Sequence, residues 1–246
     1  HDALLPPPLE LSRVRIDRRF CGPPDSGNGG YACGLVAAAI GGSDCRVTLL
    51  KPPPLDRDLL LDSDGDTARL LDGEGVIATA ERHQPAIDVP APPTLAAAEE
   101  AEARYVGLRH HHFPGCFVCG PDRAAGDGLR LFPGKLGNGG GQVACRWTPD
   151  ASLLDPDGFV RAEFVWAALD CPGYWAVSAS AGLAVLGRLA VELHVARVPA
   201  GLLIVTGWPI ASEGRKHRAG TALHDADGRL LAAADATWIT LDRRSG

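Results

Sequence analysis

The sequence predicts an α+β fold in which a continuous antiparallel sheet wraps around two helices. Three observations predict this fold. Two hairpin-like segments resemble each other, each half of the chain has one apolar helix followed by several strands, and both helices are rich in small residues. A helix followed by antiparallel strands suits a sheet that curves around that helix. Small side chains on the helix then allow the sheet to pack closely against it.

The clearest sign of duplication is the pair of hairpins, TARLLDGEGVIATAE at 67–81 and TALHDADGRLLAAAD at 221–235. Each has an Asp-Gly pair between two apolar runs, which is a strong hairpin signal. A second pair of segments, 27–40 and 160–170, has the composition of a buried helix. Hairpins and apolar helices are common enough for a chance likeness, but the shared order of elements favours duplication.

The predicted order in each half is a strand, a loop, a helix and then several strands, with an additional strand at the start of the second half. In the first half we predict a helix at 28–40 and strands at 11–16, 45–50, 59–62, 67–71 and 76–81. In the second half we predict a helix at 161–169 and strands at 128–132, 142–147, 189–195, 202–208, 218–224 and 230–240. Strict alternation from Leu189 to Val195 indicates a strand with one buried face.

These elements divide the chain into an N-terminal unit at 1–83, a linker at 84–106 and a C-terminal unit at 107–246. The linker begins rich in proline and alanine and ends rich in alanine and glutamate. Such a composition predicts a connection that runs into a short exposed helix.

Composition excludes several classes of function. The net charge of −6 argues against a nucleic-acid partner, because binding to phosphates rests on basic side chains. No apolar run reaches the roughly 20 residues that span a bilayer, and the first residues lack a signal-peptide pattern. Seven cysteines at irregular spacing do not form a disulfide framework. We therefore expect a cytoplasmic protein without a membrane partner.

The segment CFVCGPDRAAGDGLRLFPG at 116–134 resembles the Cys-Phe-x-Cys-Gly…Gly-Leu-x-Leu segment of hot-dog thioesterases of the phenylacetate-pathway type. In those proteins a His-Gly-Gly helix start follows, with an acidic residue further along the helix. Here Arg161-Ala162-Glu163 stands at the helix start and Asp170 at the acidic position. The first half resembles tandem acyl-CoA thioesterase II-like proteins through Asn28-Gly29-Gly30, with Ala37 at the acidic position. The resemblance implies a double hot-dog fold.

The resemblance also implies how a site is built. Hot-dog units pair with their central helices antiparallel, and a site combines the helix N-terminus of one unit with a carboxylate of the other. Applied here, the Gly29–Gly30 terminus faces Asp170, whereas the start at 161–163 faces Ala37, which has no carboxylate. We therefore expect one functional site and one site that has lost its function.

The expected chemistry is attack on a thioester carbonyl. Backbone N–H groups of Gly29 and Gly30 would stabilise the oxyanion at the positive end of the helix dipole. Asp170 would act as a general base on water or as a direct nucleophile. The alternative is that Asp170 caps or ends a helix, since Cys171-Pro172-Gly173 follows it.

Four further residues are candidates for substrate binding. Asn28 either contacts the substrate or caps the helix that it precedes. Arg215, Lys216 and Arg218 lie in the sharpest basic cluster of an acidic chain and could hold the phosphates of coenzyme A. The alternative for this cluster is a solvated turn before a strand.

The pair Cys116 and Cys119, preceded by histidines at 110–112, raises the question of a zinc site. A single Cys-x-x-Cys is a weak zinc signal, and the family segment accounts for it as a turn before a strand. No thioredoxin-like pattern surrounds the pair to support a redox role. We therefore predict no metal here.

Taken together, the residues predict a thioesterase-like hydrolase acting on acyl-CoA or a related thioester, with coenzyme A as part of the substrate and no other cofactor. The alternative is a non-catalytic hot-dog module that binds an acyl or aromatic ligand or a protein partner. We also expect a homodimer, because such folds leave sheet surface to bury. The sequence does not identify the acyl group.

Overall fold

The computed structural model describes residues 9–242, which form one antiparallel sheet of eleven strands together with four α-helices. The strands are β1 Glu10–Arg15, β2 Cys45–Leu49, β3 Asp58–Ser63, β4 Thr67–Asp72, β5 Gly75–Arg82, β6 Gly134–Lys135, β7 Val143–Trp147, β8 Ala184–Leu193, β9 Leu203–Glu213, β10 Lys216–Asp225 and β11 Leu230–Thr240. The helices are α1 Gly29–Ala38, α2 Leu95–Glu102, α3 Ala162–Ala168 and α4 Cys171–Ala181. None of these helices is long and apolar enough to cross a membrane.

The order of strands shows that the two halves are built alike. From its outer edge, the first half runs β1-β3-β4-β5-β2, and the second half runs β7-β9-β10-β11-β8, with the short β6 beyond β7. Each half thus follows one pattern, and the two meet where β2 pairs with β8, from Cys45 opposite Val191 to Thr48 opposite Arg188. The predicted continuous antiparallel sheet is therefore confirmed.

Helices α1 and α3 lie side by side and antiparallel against this sheet. A Cβ atom on Gly30 would meet Asp170 and the Trp166 carbonyl, whereas one on Gly34 would meet Glu163, so one helix ascends as the other descends. Nearly all of α1 is buried. The helix pair forms the centre of the core, as the sequence predicts for glycine- and alanine-rich helices.

The helix of the second half ends near Leu169, as the sequence predicts, but a second helix follows it directly. After α3 ends at Ala168, the chain turns at Asp170 and starts α4 at Cys171. Pro172 lies in the first turn of α4, where its missing N–H has no helical partner to lose. The first helix therefore ends where the sequence predicts, and the Cys-Pro-Gly segment also begins α4, a helix that the sequence did not predict.

The strand predicted at 128–132 is also absent. Arg130 has a φ of 52°, outside the extended region, and the segment forms no named strand. Leu129 and Leu131 instead donate backbone hydrogen bonds to the carbonyls of Phe117 and Val118, at 2.8 and 2.9 Å. The alternating leucines thus pack against the loop that precedes them in the chain.

The sequence predicted an exposed linker helix, but one face of α2 is buried. Ala98 and Ala101 are fully buried and pack against Ala144 and Ile204. Glu102 accepts the backbone N–H of Arg146 on β7 at 2.7 Å and also pairs with its guanidinium group. The linker is thereby fixed to the second half, while the division at 83 and 106 stays a prediction.

Candidate active site

Asp170 lies at the junction of α3 and α4, and its side chain reaches the N-terminus of α1. Its Oδ2 atom accepts a hydrogen bond of 2.9 Å from the backbone N–H of Gly30. The residue is 1% exposed, and no partner for its Oδ1 atom exists within residues 9–242. The structure therefore places the carboxylate of the second half on the helix start of the first. Its catalytic role stays a prediction.

The alternative of a local helix cap does not fit this geometry. Asp170 occupies the N-cap position of α4, where aspartate side chains usually accept a backbone N–H of the first turn. Its side chain makes no such bond. The carboxylate contacts the other half of the molecule instead.

Burial raises the pKa of the Asp170 carboxyl to about 7, because the charged form loses its hydration. The Gly30 N–H acts in the opposite direction by stabilising the carboxylate, and the Cys116 thiolate adds to the rise. A carboxyl group that titrates near neutrality can both accept and return a proton, as general acid–base chemistry requires.

The first N–H groups of α1 have different partners. Asn28 caps the helix, since its Oδ1 atom accepts the Tyr31 N–H at 2.9 Å. The Gly30 N–H is bound to Asp170, and the Gly29 N–H has no partner within the described part of the chain. The Gly30 N–H is thus occupied in this structure and the Gly29 N–H is free, while the role of the two glycine amides as oxyanion donors stays a prediction.

The absence of a side chain at Gly30 is a requirement of packing. A Cβ atom there would lie 2.5 Å from the Asp170 Cβ and 2.9 Å from the Trp166 carbonyl oxygen. These distances are shorter than van der Waals contact, so any other residue would push the two halves apart. Gly30 thus brings Asp170 close to the helix start.

The opposite side of the helix pair has no carboxylate of this kind. The start of α3 lies beside the middle of α1, where a Cβ atom on Gly34 would come within 2.8 Å of the Glu163 Cα. Ala37, about one turn further along α1, is fully buried and brings no polar group. Arg161 stands at the N-cap of α3 without a capping side-chain bond. The asymmetry predicted from the sequence is present in the structure.

A cavity of about 590 Å³ opens beside Asp170. Asn28, Gly29 and Asp170 are among the residues that line it, and most of the other lining residues have apolar side chains. These are chiefly Leu49, Pro52, Pro53, Leu183, Val185, Leu186, Trp238 and Ile239. A largely apolar cavity with a few polar groups in its lining suits an apolar ligand with one reactive polar function.

The basic cluster does not line this cavity. Arg215 is bound to the Thr240 carbonyl and Arg218 to Asp235. Lys216 and Arg218 line a neighbouring groove that shares Leu49, Gly187 and Ile239 with the cavity. The role of the cluster in substrate binding stays a prediction. Lys51, two residues after the end of β2, also lines the cavity and was not identified from the sequence.

In the structure, the thiol of Cys171 lies beside the Cys116–Cys119 pair, which is distant from it in sequence. The Sγ atoms of Cys116, Cys119 and Cys171 all lie within 4.8 Å of one another, with 3.8 Å between Cys116 and Cys171. Hydrogen bonds from the other two thiols hold the pKa of Cys116 well below its usual range. His111 joins the cluster, with its Nε2 atom 3.3 Å from the Cys119 sulfur. Neither Cys171 nor the choice of His111 among three histidines was evident from the sequence.

No family model and no curated protein match the sequence, but solved structures do. A protein of Novosphingobium aromaticivorans assigned as a thioesterase matches with a TM-score of 0.60 and 13% identity, over 94% of this chain and 96% of its own. A protein of Thermobifida fusca assigned as a thioesterase II gives 0.59 and 17%, over 95% and 94%. A hot-dog protein of unknown function from Alicyclobacillus acidocaldarius gives 0.60 and 11%, over 95% and 94%.

These similarities extend over both halves of the chain, and at such identities they establish the fold. Together with the repeated strand order and the antiparallel helix pair, they define a double hot-dog protein.

Proposed function

We propose that this double hot-dog chain is a thioesterase-like hydrolase acting on acyl-CoA or a related thioester, with Asp170 as its catalytic carboxylate. The observation that carries the proposal is the buried Asp170 carboxylate, held 2.9 Å from the Gly30 amide beside a largely apolar cavity that both Gly29 and Asp170 line. The assignment of two structural neighbours as thioesterases agrees with it.

In the proposed complex the acyl group fills the apolar cavity and its carbonyl oxygen accepts the Gly29 N–H. This N–H belongs to the first turn of α1, so the partial positive charge of the helix terminus acts on the same oxygen. As negative charge grows on the oxygen during attack, the interaction strengthens. One donor of this kind typically contributes about 2.7–4 kcal/mol to lowering the barrier.

Asp170 would act first as the general base and then as the general acid. The Gly30 N–H holds Oδ2, which leaves Oδ1 to take a proton from a water molecule as the water oxygen bonds to the carbonyl carbon. The carbonyl π electrons move to the oxygen and then return, which breaks the carbon–sulfur bond. The departing thiolate receives the proton from Asp170, and the carboxylate is restored.

The test is the Asp170→Asn variant, assayed by thiol release on acyl-CoA thioesters with short, long, branched and aromatic acyl groups. The amide oxygen of asparagine can still accept the Gly30 N–H, while the basic group is lost. We expect hydrolysis to fall by about 10²–10⁴-fold with much smaller changes in binding. The melting temperature should not decrease, because a buried charge is removed and its hydrogen bond is kept.

Asp62→Asn is the matched control. Asp62 is also a buried carboxylate, but it pairs with Arg69 on β4, outside the cavity. Its replacement should leave hydrolysis unchanged in the folded protein. Undiminished hydrolysis by Asp170→Asn would exclude Asp170 as the catalytic group.

A binding module without catalysis is the second candidate. It is favoured by the nearly complete burial of Asp170, since a contact between α1 and α4 needs no reaction to explain it. If the wild-type protein hydrolyses no thioester of the panel but binds an acyl or aromatic ligand by calorimetry, this second function holds.

A further inference from the structure

The three thiols beside Asp170 have the spacing of metal ligands. Zinc bonded tetrahedrally to sulfur at about 2.3 Å holds its sulfurs roughly 3.8 Å apart. The Cys116 and Cys171 sulfurs are 3.8 Å apart, and the Cys119 sulfur lies within 4.8 Å of both. A small closing movement of Cys119 would complete one face of a tetrahedron. All three residues are buried, at 3–5% exposure.

The groups around these sulfurs are N–H donors. The Asn28 Nδ2 atom lies 3.7 Å from the Cys116 sulfur and 4.0 Å from that of Cys171. The indole N–H of Trp175, buried and without a hydrogen-bond partner among residues 9–242, lies beside Cys119. Donors of this type stabilise thiolates that carry a metal and are a regular part of its outer shell. Neutral thiols are weak hydrogen-bond acceptors, so these donors would gain little from them.

Other cysteines show what a purely structural thiol looks like in this protein. Cys33, Cys45 and Cys145 are fully buried. None of them belongs to a group of three potential ligands in the part of the chain that the structure describes. The cluster at Cys116, Cys119 and Cys171 is therefore distinct from cysteines that serve as small apolar residues.

We propose that Cys116, Cys119 and Cys171 bind one Zn²⁺ ion through their thiolates, with a water molecule from the cavity as the fourth ligand. Binding forms three zinc–sulfur bonds and releases the protons of those sulfurs that are still thiols. The sequence prediction of no metal rested on a lone Cys-x-x-Cys pair, and the start of α4 supplies the missing third ligand.

His111 supports the site from outside the coordination sphere. Its Nδ1 atom accepts the backbone N–H of Phe113 at 2.9 Å, so in the neutral ring the proton is on Nε2. That proton points to the Cys119 sulfur at 3.3 Å. An imidazole that donates through Nε2 cannot bind the metal with the same atom. The fourth position is thus left to the cavity, which all three cysteines line.

The site would join two distant segments of the second half. Cys116 and Cys119 belong to the loop that precedes β6, and Cys171 is the first residue of α4. Because Cys171 directly follows Asp170, the ion would also fix the junction from which the Asp170 side chain reaches α1. The inference concerns metal binding alone and holds whether or not the protein hydrolyses thioesters.

The test is the metal content of the intact chain, produced with added zinc and reductant and purified without chelators. Native mass spectrometry and elemental analysis should find one zinc per chain. Cys116→Ser and Cys171→Ser should each lose the ion on dialysis, and Cys145→Ser, a buried cysteine on β7, should keep it. Circular dichroism shows whether each variant is folded.

A second measurement does not depend on the folding of the variants. After the zinc is removed from the wild type, Co²⁺ should restore one equivalent with near-ultraviolet thiolate-to-cobalt absorption and the visible bands of a tetrahedral site. His111→Gln should still bind zinc, with affinity reduced about 10–100-fold through loss of an outer-shell donor.

Three results would overturn the proposal. The first is a metal-free wild-type chain that gives no cobalt spectrum. The second is a mass lower by two hydrogen atoms, which marks a disulfide between Cys116 and Cys171 that persists under reducing conditions. The third is zinc retained by the folded Cys171→Ser variant. Complete loss of zinc in His111→Gln would make His111 a ligand and would refute the open fourth position.

Discussion

Contact between the helix start of α1 and the Asp170 carboxylate depends on glycine, which has no side chain, at position 30. Gly30 leaves room for Asp170 and Trp166, and the hydrogen bond to Oδ2 is possible only at this separation. At Gly30 and again at Gly34, glycine serves the approach of another backbone element rather than an unusual φ angle.

We predict that Gly30→Ala destabilises the protein although alanine is the better helix former. The added methyl group would lie 2.5 Å from the Asp170 Cβ, and overpacking of this kind typically costs about 1–3 kcal/mol. Helix propensity alone would change the stability by about 1 kcal/mol in the opposite direction. Urea unfolding measures the difference.

Gly137→Ala provides the comparison, because nothing lies within 4 Å of a Cβ atom at that position. Its free energy of unfolding should be close to that of the wild type. An equally harmless Gly30→Ala would show that α1 does not pack as closely against α3 and Asp170 as described. Gly30→Val should destabilise the protein through the same conflict with Asp170 and Trp166.

At this scale the sequence predicted the residues that belong to a contiguous motif. Gly29, Gly30 and Asn28 stand together in the chain, and Asp170 follows from its offset in the family helix. Lys51 reaches the cavity from a segment far from those motifs, and Cys171, although next to Asp170, belongs to no spacing that pairs it with Cys116 and Cys119. The different partners of the two glycine amides also required the three-dimensional arrangement.

Among the elements, the junction of α3 and α4 positions Asp170. The carbonyl of Leu169, at the end of α3, accepts a 2.7 Å hydrogen bond from the Oγ1 of Thr221 on β10. Carbonyls at the end of a helix lack helical partners, and this one is buried. Thr221, which is fully buried, fixes the junction to the sheet.

We predict that Thr221→Val lowers the free energy of unfolding by about 1–3 kcal/mol, because it leaves the buried Leu169 carbonyl without its donor. Valine keeps the shape of threonine, so packing changes little. If hydrolysis is established, its rate should fall as well, since Asp170 follows Leu169 directly. Thr237→Val on β11, whose side chain lines a groove that does not include Asp170, is the control and should be nearly neutral in denaturation experiments. Equal stability of Thr221→Val would contradict the importance of this bond.

The sequence predicted strands better than it predicted the helix ends and loops. Hairpins with Asp-Gly turns were placed well, since Gly73 and Gly228 adopt the positive φ angles that such turns require. The segment at 128–132 alternates like a strand, but alternation shows only which side chains are buried. Pro172 indicates a helix start as readily as a helix end, and the tertiary contacts of α4 decide between them.

For the whole molecule, His224 links stability to pH. Burial lowers the pKa of this imidazole, and Asp225 opposes the shift only in part. Its folded-state pKa thus lies below the unfolded value of about 6.5, so the unfolded chain takes up the proton more readily. Stability from this group is complete above that value and is lost as the pH falls toward the folded-state pKa.

His224→Gln should therefore reduce the loss of stability between about pH 7.5 and pH 5.5, measured as the shift of the urea midpoint across this range. The exposed His110→Gln variant should show the same loss as the wild type. A pH dependence unchanged by His224→Gln would show that His224 does not resist protonation in the folded state.

The sequence indicated that the fold is duplicated, but it did not indicate which strands pair where the two halves meet. Two similar hairpins and two apolar helices were enough to predict a double hot-dog arrangement. The pairing of β2 with β8 involves residues such as Cys45 and Val191, which have no shared motif. Such long-range pairing depends on the assembled core and not on local sequence.

The Gly30–Asp170 contact joins residues 140 positions apart in a single chain. In an assembly of separate hot-dog units the same contact would form between two molecules and would be lost on dilution. Here the covalent connection supplies each half with its partner at a fixed effective concentration, whatever the amount of protein. Activity per molecule, if the proposed hydrolysis is confirmed, should therefore stay constant from micromolar to nanomolar protein. Low abundance in a cell would then leave the site intact.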